Sequence, residues 1–161
     1  MSKPNIILDI DNTLISSEDY ENINNIVGDM NLHHFEHEII IERPYLKEFL
    51  KFVFSNFNVY FSTRMTKDRC DFILNEILDS KQRPLDVLTR EDCLTHQAAY
   101  SSPEELKKSF PFDCIWIDDS PQYILLDDNF NQEVIKIDFF DGDIVDCELK
   151  NLISLLKTKL N

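Results

Sequence analysis

Asp9 and Asp11 stand two residues apart, directly after the apolar run Ile6-Ile7-Leu8. In an extended chain that spacing sends both carboxylates to the same side. Two acids held this way repel unless a cation, hydrogen bonds or a retained proton offsets the charge. A second apolar run, Cys114-Ile115-Trp116-Ile117, ends in Asp118 and Asp119, and a third, residues 58–61, ends in Ser62, Thr63 and Arg64. Open parallel α/β sheets bind ligands at the carboxyl ends of their strands. If the three runs are neighbouring parallel strands, four carboxylates gather at one edge. A hard divalent ion with oxygen ligands is the counter-charge that fits them. Mg2+ takes few protein carboxylates and leaves room for a phosphate oxygen, while a hydroxyl such as Ser62 and a guanidinium such as Arg90 can hold the others. The chemistry this supports is phosphoryl transfer through a covalent aspartyl-phosphate, since a carboxylate is a competent nucleophile. The plain alternative, for the first pair taken alone, is a strand ending in a solvated acidic turn.

The elements around these residues follow from pattern. Ile6, Ile7 and Leu8 read as a strand buried on both faces, because a half-buried strand would alternate with polar residues. Residues 16–37 read as a polar loop or small inserted cap, weakly helical near residues 23–30. His33 and His37 within it have the i, i+4 spacing of a helical metal pair, but no third ligand supports one. Residues 38–42 are β-branched and predict a strand. Arg43-Pro44 then opens a helix with Pro at its first position, and Leu46, Phe49, Leu50, Val53 and Phe54 form its apolar stripe. Thr66 is the expected cap of the next helix, whose buried face is Cys70, Ile73, Leu74, Ile77 and Leu78. Short strands are expected at 85–88 and 134–137, a helix start at 101–105, and a closing amphipathic helix carrying Leu149, Leu152, Ile153, Leu156 and Leu160. Strands alternating with helices predict a single α/β domain over residues 1–161, with a central parallel sheet and right-handed crossovers.

Composition excludes several classes. A net charge of -14 opposes a nucleic-acid or anionic-membrane partner. Two glycines in the whole chain leave no glycine-rich phosphate loop. The loop after Asp9 lacks the glycine and bidentate glutamate of an EF-hand. Cys70, Cys93, Cys114 and Cys147 are scattered without a C-x-x-C pair, so reduced core thiols of an intracellular protein are expected. No signal peptide or apolar run long enough to span a membrane is visible. The expected location is intracellular, cytoplasmic or nuclear. Phe139 and Phe140 are expected to pack in the core or at an edge, and Asp141-Gly142 is a turn signal.

Several segments together resemble phosphatases of the haloacid dehalogenase superfamily. Within it the chain is similar to the group acting on the RNA polymerase II C-terminal domain, the small CTD phosphatase and NLI-interacting-factor-like proteins. The residues that carry the resemblance are Leu8-Asp9-Ile10-Asp11-Asn12-Thr13-Leu14, Arg43-Pro44 followed by Glu48-Phe49-Leu50, Phe61-Ser62-Thr63, Arg90-Glu91-Asp92-Cys93 with His96 and Tyr100, and Ile117-Asp118-Asp119-Ser120-Pro121. The resemblance implies a three-layer Rossmann-like domain with small insertions as caps, one Mg2+ ion, and a phosphorylated protein or peptide as substrate, the RNA polymerase II C-terminal domain being the group's example. It implies that Asp9 is the nucleophile and a metal ligand. Asp11 would be the general acid and base, its backbone carbonyl touching the metal; Asp118 and Asp119 would complete the metal site. Ser62, Thr63, Arg90 and Asn12 would contact the substrate. One departure stands out: where the family has a lysine, this chain has Ser102. Lys107, Lys108 and Arg64 are the candidate replacements. A weakened, phosphoprotein-binding adaptor or a small-molecule phosphatase are the alternative readings.

Overall fold

The structure, a computed structural model, describes residues 2–19, 30–92, 113–121 and 133–160. Its central sheet has five strands: β1 (Asn5–Leu8), β5 (Asn58–Ser62), β6 (Asp86–Leu88), β7 (Cys114–Asp118) and β8 (Glu133–Lys136), in the order β6-β5-β1-β7-β8. Every pairing in it is parallel. Ile6, Ile7 and Leu8 are all fully buried, which is the cost-free placement for three apolar residues in a row only at the centre of a sheet covered on both faces.

Alternation along β1 divides the core. Ile6 and Leu8 join the large cluster that contains the apolar stripes of the three described helices, α1 (Leu46–Asn56), α2 (Lys67–Ile77) and α3 (Glu148–Lys159). Ile7 points the other way, into a smaller cluster with Leu88, Cys114 and Trp116. The expected faces of α1 and α2 are buried: Leu46, Phe49, Leu50 and Val53 in one, Cys70, Ile73, Leu74 and Ile77 in the other. Thr66 precedes α2 in extended conformation, as a cap residue does, although its hydroxyl makes no capping bond. Cys70 and Cys114 are buried thiols, both pushed up to about 12 chiefly by burial. Cys147 departs from that expectation, being exposed.

Three other expectations change. Residues 16–37 are not simply a loop: β2 (Ile15–Asp19) and β3 (Leu32–Phe35) pair antiparallel with the two sides of β4 (Glu38–Glu42), giving a separate sheet of order β2-β4-β3. The segment Ser16-Ser17-Glu18-Asp19 lacks an apolar alternation, so its strand state comes from pairing with Ile39, Ile40 and Ile41 rather than from its own pattern. His33 consequently sits on a strand, its ring nitrogens 2.8 Å from Glu42 and 3.0 Å from Glu76, and helical spacing to His37 does not apply. Pro44 does not occupy the first helical position. The helix begins at Leu46, after Tyr45 in the left-handed region at φ 66°. Phe139 is exposed, whereas Phe140 is buried. The turn at Gly142 is present, with φ +95°, a conformation that side chains rarely adopt. The expected helix start at 101–105 lies outside the described residues.

Arg43 stands just ahead of α1. Its side chain is fully buried. It makes a forked pair with Asp146, Nε to Oδ1 at 3.0 Å and Nη2 to Oδ2 at 2.7 Å, and donates to the carbonyls of Thr13 (3.1 Å) and Asp138 (2.8 Å). Its guanidinium also lies 5.2 Å from the Phe140 ring centroid. The late helix start itself coincides with the left-handed Tyr45 that separates Pro44 from Leu46. Removing one partner of a buried pair leaves the other charge without compensation. Arg43→Ala is therefore expected to lower the unfolding free energy by about 3–5 kcal/mol, read as a lower urea midpoint with unchanged slope. A loss under 1 kcal/mol would refute this role.

Candidate metal and phosphate site

The register of the parallel sheet builds the site. Leu8 is level with Phe61 on one side and with Ile117 on the other. The next residues, Asp9, Ser62 and Asp118, therefore emerge together at the carboxyl edge of three adjacent strands. The Asp9 N–H still donates to the Ile117 carbonyl at 3.0 Å, so this acid leaves the sheet at a fixed height. Past it the chain folds into a tight loop. Leu14 N–H donates to the Ile10 carbonyl at 2.9 Å and Asn12 N–H to the Ile15 carbonyl at 2.7 Å. Asn12 takes φ 58°, a left-handed conformation that Asn tolerates better than most residues. Its carbonyl accepts the Phe140 N–H at 2.8 Å.

Asp9, Asp118 and Asp119 each bring a carboxylate oxygen to within 4.8 Å of the other two. Asp118 is buried, and its Oδ1 accepts the Ser120 N–H at 2.7 Å. Thr13, fully buried, ties the two acidic strand ends together: its hydroxyl donates to Asp119 Oδ1 at 3.4 Å and accepts the Asp119 N–H at 3.1 Å. Asp9 is only partly accessible, and its carboxylate is densely surrounded by protein. Burial first, then the neighbouring Asp118 charge, pushes it well above the usual carboxylate range, against the Thr13 hydroxyl, which favours ionisation. Asp119 is also raised, by burial and then by Asp118, with the charge of Arg64 acting the other way. Three oxygen donors at this spacing, two of them reluctant to ionise together, make a set that suits a hard divalent cation.

The carboxylate of Asp11 stands apart from this trio. Its Oδ1 is 2.8 Å from Nη1 of Arg69, in the first turns of α2, and the same guanidinium pairs with Glu38 of β4 at 3.0 Å. Sequence reasoning missed Arg69, Glu38 and the linking role of Thr13. No local pattern marks the first two, because a lone arginine in a helix and a lone acid in a strand are ordinarily solvated.

The remaining sequence-derived candidates fall as follows. Ser62 ends β5 beside Asp9, and Thr63 is buried, its hydroxyl accepting the Met65 N–H at 3.2 Å. Arg90 begins a short 3-10 turn (Arg90–Asp92) and donates from Nε to the Arg64 carbonyl at 2.8 Å. Arg64, Arg69 and Arg90 line one pocket with Asp11 and Glu38. Cys93, His96, Tyr100, Ser102, Lys107 and Lys108 lie outside the described residues, so of the candidate replacement cations only Arg64 can be placed.

The trio has a thermodynamic signature. Because the folded state holds Asp9 and Asp119 above 3.8, it binds more protons than the unfolded chain from that pH up to the folded values. Metal-free stability must therefore fall as pH rises through that window. Mg2+ is expected to raise the melting temperature at neutral pH. Asp119→Asn is expected to melt higher than wild type without metal, by a few degrees, and to lose most of the Mg2+ shift. Differential scanning fluorimetry with Mg2+ and EDTA reads both; a variant that melts lower than wild type without metal would contradict the repulsion.

Comparison with known proteins agrees with this geometry. The sequence pattern of NLI interacting factor-like phosphatases matches residues 4–161. The CTD phosphatase-like protein 355R of Invertebrate iridescent virus 6 is 33% identical over 122 residues, covering 70% of this chain and 67% of that protein. The corresponding protein of Invertebrate iridescent virus 3 is 32% identical over 87 residues, 48% of this chain and 45% of its own length. Among solved structures, the fission yeast RNA polymerase II CTD phosphatase Fcp1 bound to beryllium fluoride superposes with TM-score 0.66 at 18% identity, covering 98% of this chain. A second structure of Fcp1 gives TM-score 0.65 at 19% identity, again over 98% of this chain. This chain spans about half of each Fcp1 chain. The sheet order, the acidic strand ends and the match over nearly the whole length place the chain in the NLI interacting factor-like phosphatase family, on a haloacid dehalogenase-type fold.

Proposed function

We propose that this protein is a Mg2+-dependent phosphatase that hydrolyses phosphoserine or phosphothreonine in a protein through a phosphoenzyme on Asp9. The observation that supports it most is the convergence of Asp9, Asp118 and Asp119 within 4.8 Å, with Asp11 two residues beyond the first. Asp9 and the two acids at the end of β7 would hold the ion, and the Asp11 carbonyl would join them. The bound ion supplies positive charge that lowers the repulsion between carboxylate and phosphate.

The protein's own groups then divide the work. An Asp9 carboxylate oxygen attacks phosphorus and forms the acyl-phosphate bond as the P–O bond to the serine or threonine oxygen breaks. Asp11 gives its proton to that leaving oxygen. Water, deprotonated by Asp11, next attacks phosphorus and releases inorganic phosphate, restoring the Asp9 carboxylate. Asp11 is thus acid and then base at one position. Arg69 and Glu38 fix where it stands. The Ser62 hydroxyl would hold a phosphate oxygen, its residue standing level with Asp9. The family names carried by the relatives support a phosphorylated protein, such as the RNA polymerase II C-terminal domain, as the substrate class, and an intracellular setting, in cytoplasm or nucleus, goes with that reading.

Ser102, where the family has lysine, favours a second reading: a weakened member that retains a phosphorylated partner without turning it over. Hydrolysis of an aryl phosphate separates the two. The expected result is turnover that requires Mg2+ and falls by at least about a thousandfold in Asp9→Asn, the loss typical of removing a nucleophile. Activity that survives Asp9→Asn would rule out the phosphoenzyme. Silence in the wild type with Mg2+ binding intact would transfer the reading to the binding protein.

A further inference from the structure

The carboxylate of Asp11 is held at one oxygen. Nη1 of Arg69 meets its Oδ1 at 2.8 Å, and among the described residues its Oδ2 has no hydrogen-bond partner. A carboxyl group fixed in this way has one oxygen anchored as an acceptor and the other left to bear a proton. The remaining edge of the guanidinium goes to the small antiparallel sheet. Nε and Nη2 of Arg69 both meet Oε2 of Glu38, each at 3.0 Å. The Arg69 side chain is only 14% exposed. A planar guanidinium held along two edges cannot turn without releasing one of its acids.

Glu38 moves with the small sheet, because it opens β4 and is level with Asp19 of β2 and Phe35 of β3. That sheet touches α2 at two further points. Nδ1 of His33 lies 3.0 Å from Oε2 of Glu76, and the rings of Phe35 and Phe72 are 5.0 Å apart between centroids. Arg69, Phe72 and Glu76 follow the i, i+3, i+7 spacing of a single helix face. The small sheet is therefore seated along one stripe of α2, and the residue that begins this stripe also holds Asp11. Asp11, Glu38 and Arg69 line one pocket of about 260 Å³, so the linked groups border open space rather than core.

We infer that the seating of the small sheet on α2 controls proton transfer at Asp11, which makes Arg69 and Glu38 positioning residues for the cleavage of alkyl phosphate esters. The inference rests on the phosphatase reading above and adds how that site is controlled. As Asp9 forms its bond to phosphorus, the P–O bond breaks and its electron pair stays on the departing oxygen. An acidic phenol departs as a stable anion. A serine or threonine oxygen needs the proton of Asp11 in the same step. Displacing Asp11 by about 1 Å therefore slows alkyl esters far more than esters of acidic phenols.

The test uses kcat/KM, which ends at departure of the leaving group, for a phosphoserine peptide and a series of aryl phosphates of increasing phenol acidity. In Arg69→Met the peptide is expected to lose about 10- to 100-fold, and the loss is expected to shrink steadily as the phenol becomes more acidic. Glu38→Gln alters only the far edge of the guanidinium and is expected to show the same trend more weakly. The double variant is expected to match Arg69→Met alone, because Glu38 acts through Arg69. An equal loss across the series would overturn the inference, since the contacts would then only support the fold. So would wild-type rates in both single variants, or losses that multiply in the double variant. If wild type cleaves none of the esters, the phosphatase reading has failed. The linkage is then decided by the carbon-13 carboxyl resonance of Asp11, identified by its absence from Asp11→Asn. A shift of that resonance in Glu38→Gln supports the linkage, and an unmoved resonance rejects it.

Discussion

The Arg43 guanidinium is closed off from solvent and reaches three separate stretches of chain at once. One arm holds the Thr13 carbonyl in the loop after β1, another the Asp138 carbonyl beyond β8, and the fork closes on Asp146 just ahead of α3. A charge this deep is tolerated only with its hydrogen bonds met. Those stretches must therefore assemble together, and the loop that carries Asp9, Asp11 and Thr13 is pinned by a residue far from it in sequence. Phe140 adds an apolar face to the same guanidinium and a backbone bond to Asn12. The loop after β1 is thus held from behind.

That anchorage accounts for the electrostatics of the acidic edge. Carboxylates on flexible loops would move apart to relieve repulsion. Here parallel register sets the heights of Asp9 and Asp118, and Thr13 clasps Asp119 to the first loop. The repulsion is stored rather than relaxed, and it adds to burial, the larger cause, in raising both Asp9 and Asp119. Asp11, on the same loop, pairs instead with Arg69, which also holds Glu38. Two acids that share a motif therefore meet different environments.

Much of this was legible beforehand. Ile6-Ile7-Leu8 could only be a buried strand, and acids ending two such runs implied a common edge once the strands were parallel neighbours. The stripes of α1 and α2 were equally plain, because helical spacing is written in the apolar residues. What stayed hidden depends on partners distant in sequence. Ser16-Ser17-Glu18-Asp19 carries no strand pattern and is a strand because β4 offers it a ladder. The late start of α1 goes with the left-handed Tyr45, which a Pro-initiated helix pattern does not reveal. Arg69 looks like any surface arginine until the fold sets Asp11 and Glu38 on either side of it.

The small antiparallel sheet leaves the main body and returns to it at nearly the same place. β2 begins at Ile15, bridged to Asp11, and β4 ends at Glu42, after which the Arg43 N–H bonds to the Leu14 carbonyl. An excursion whose two feet share one anchorage behaves as a graft. It is tied to α2 as well, through His33 with Glu76 and Glu38 with Arg69. Through Arg69, which holds both Glu38 and Asp11, a shift of the small sheet would therefore reach the loop that carries Asp9.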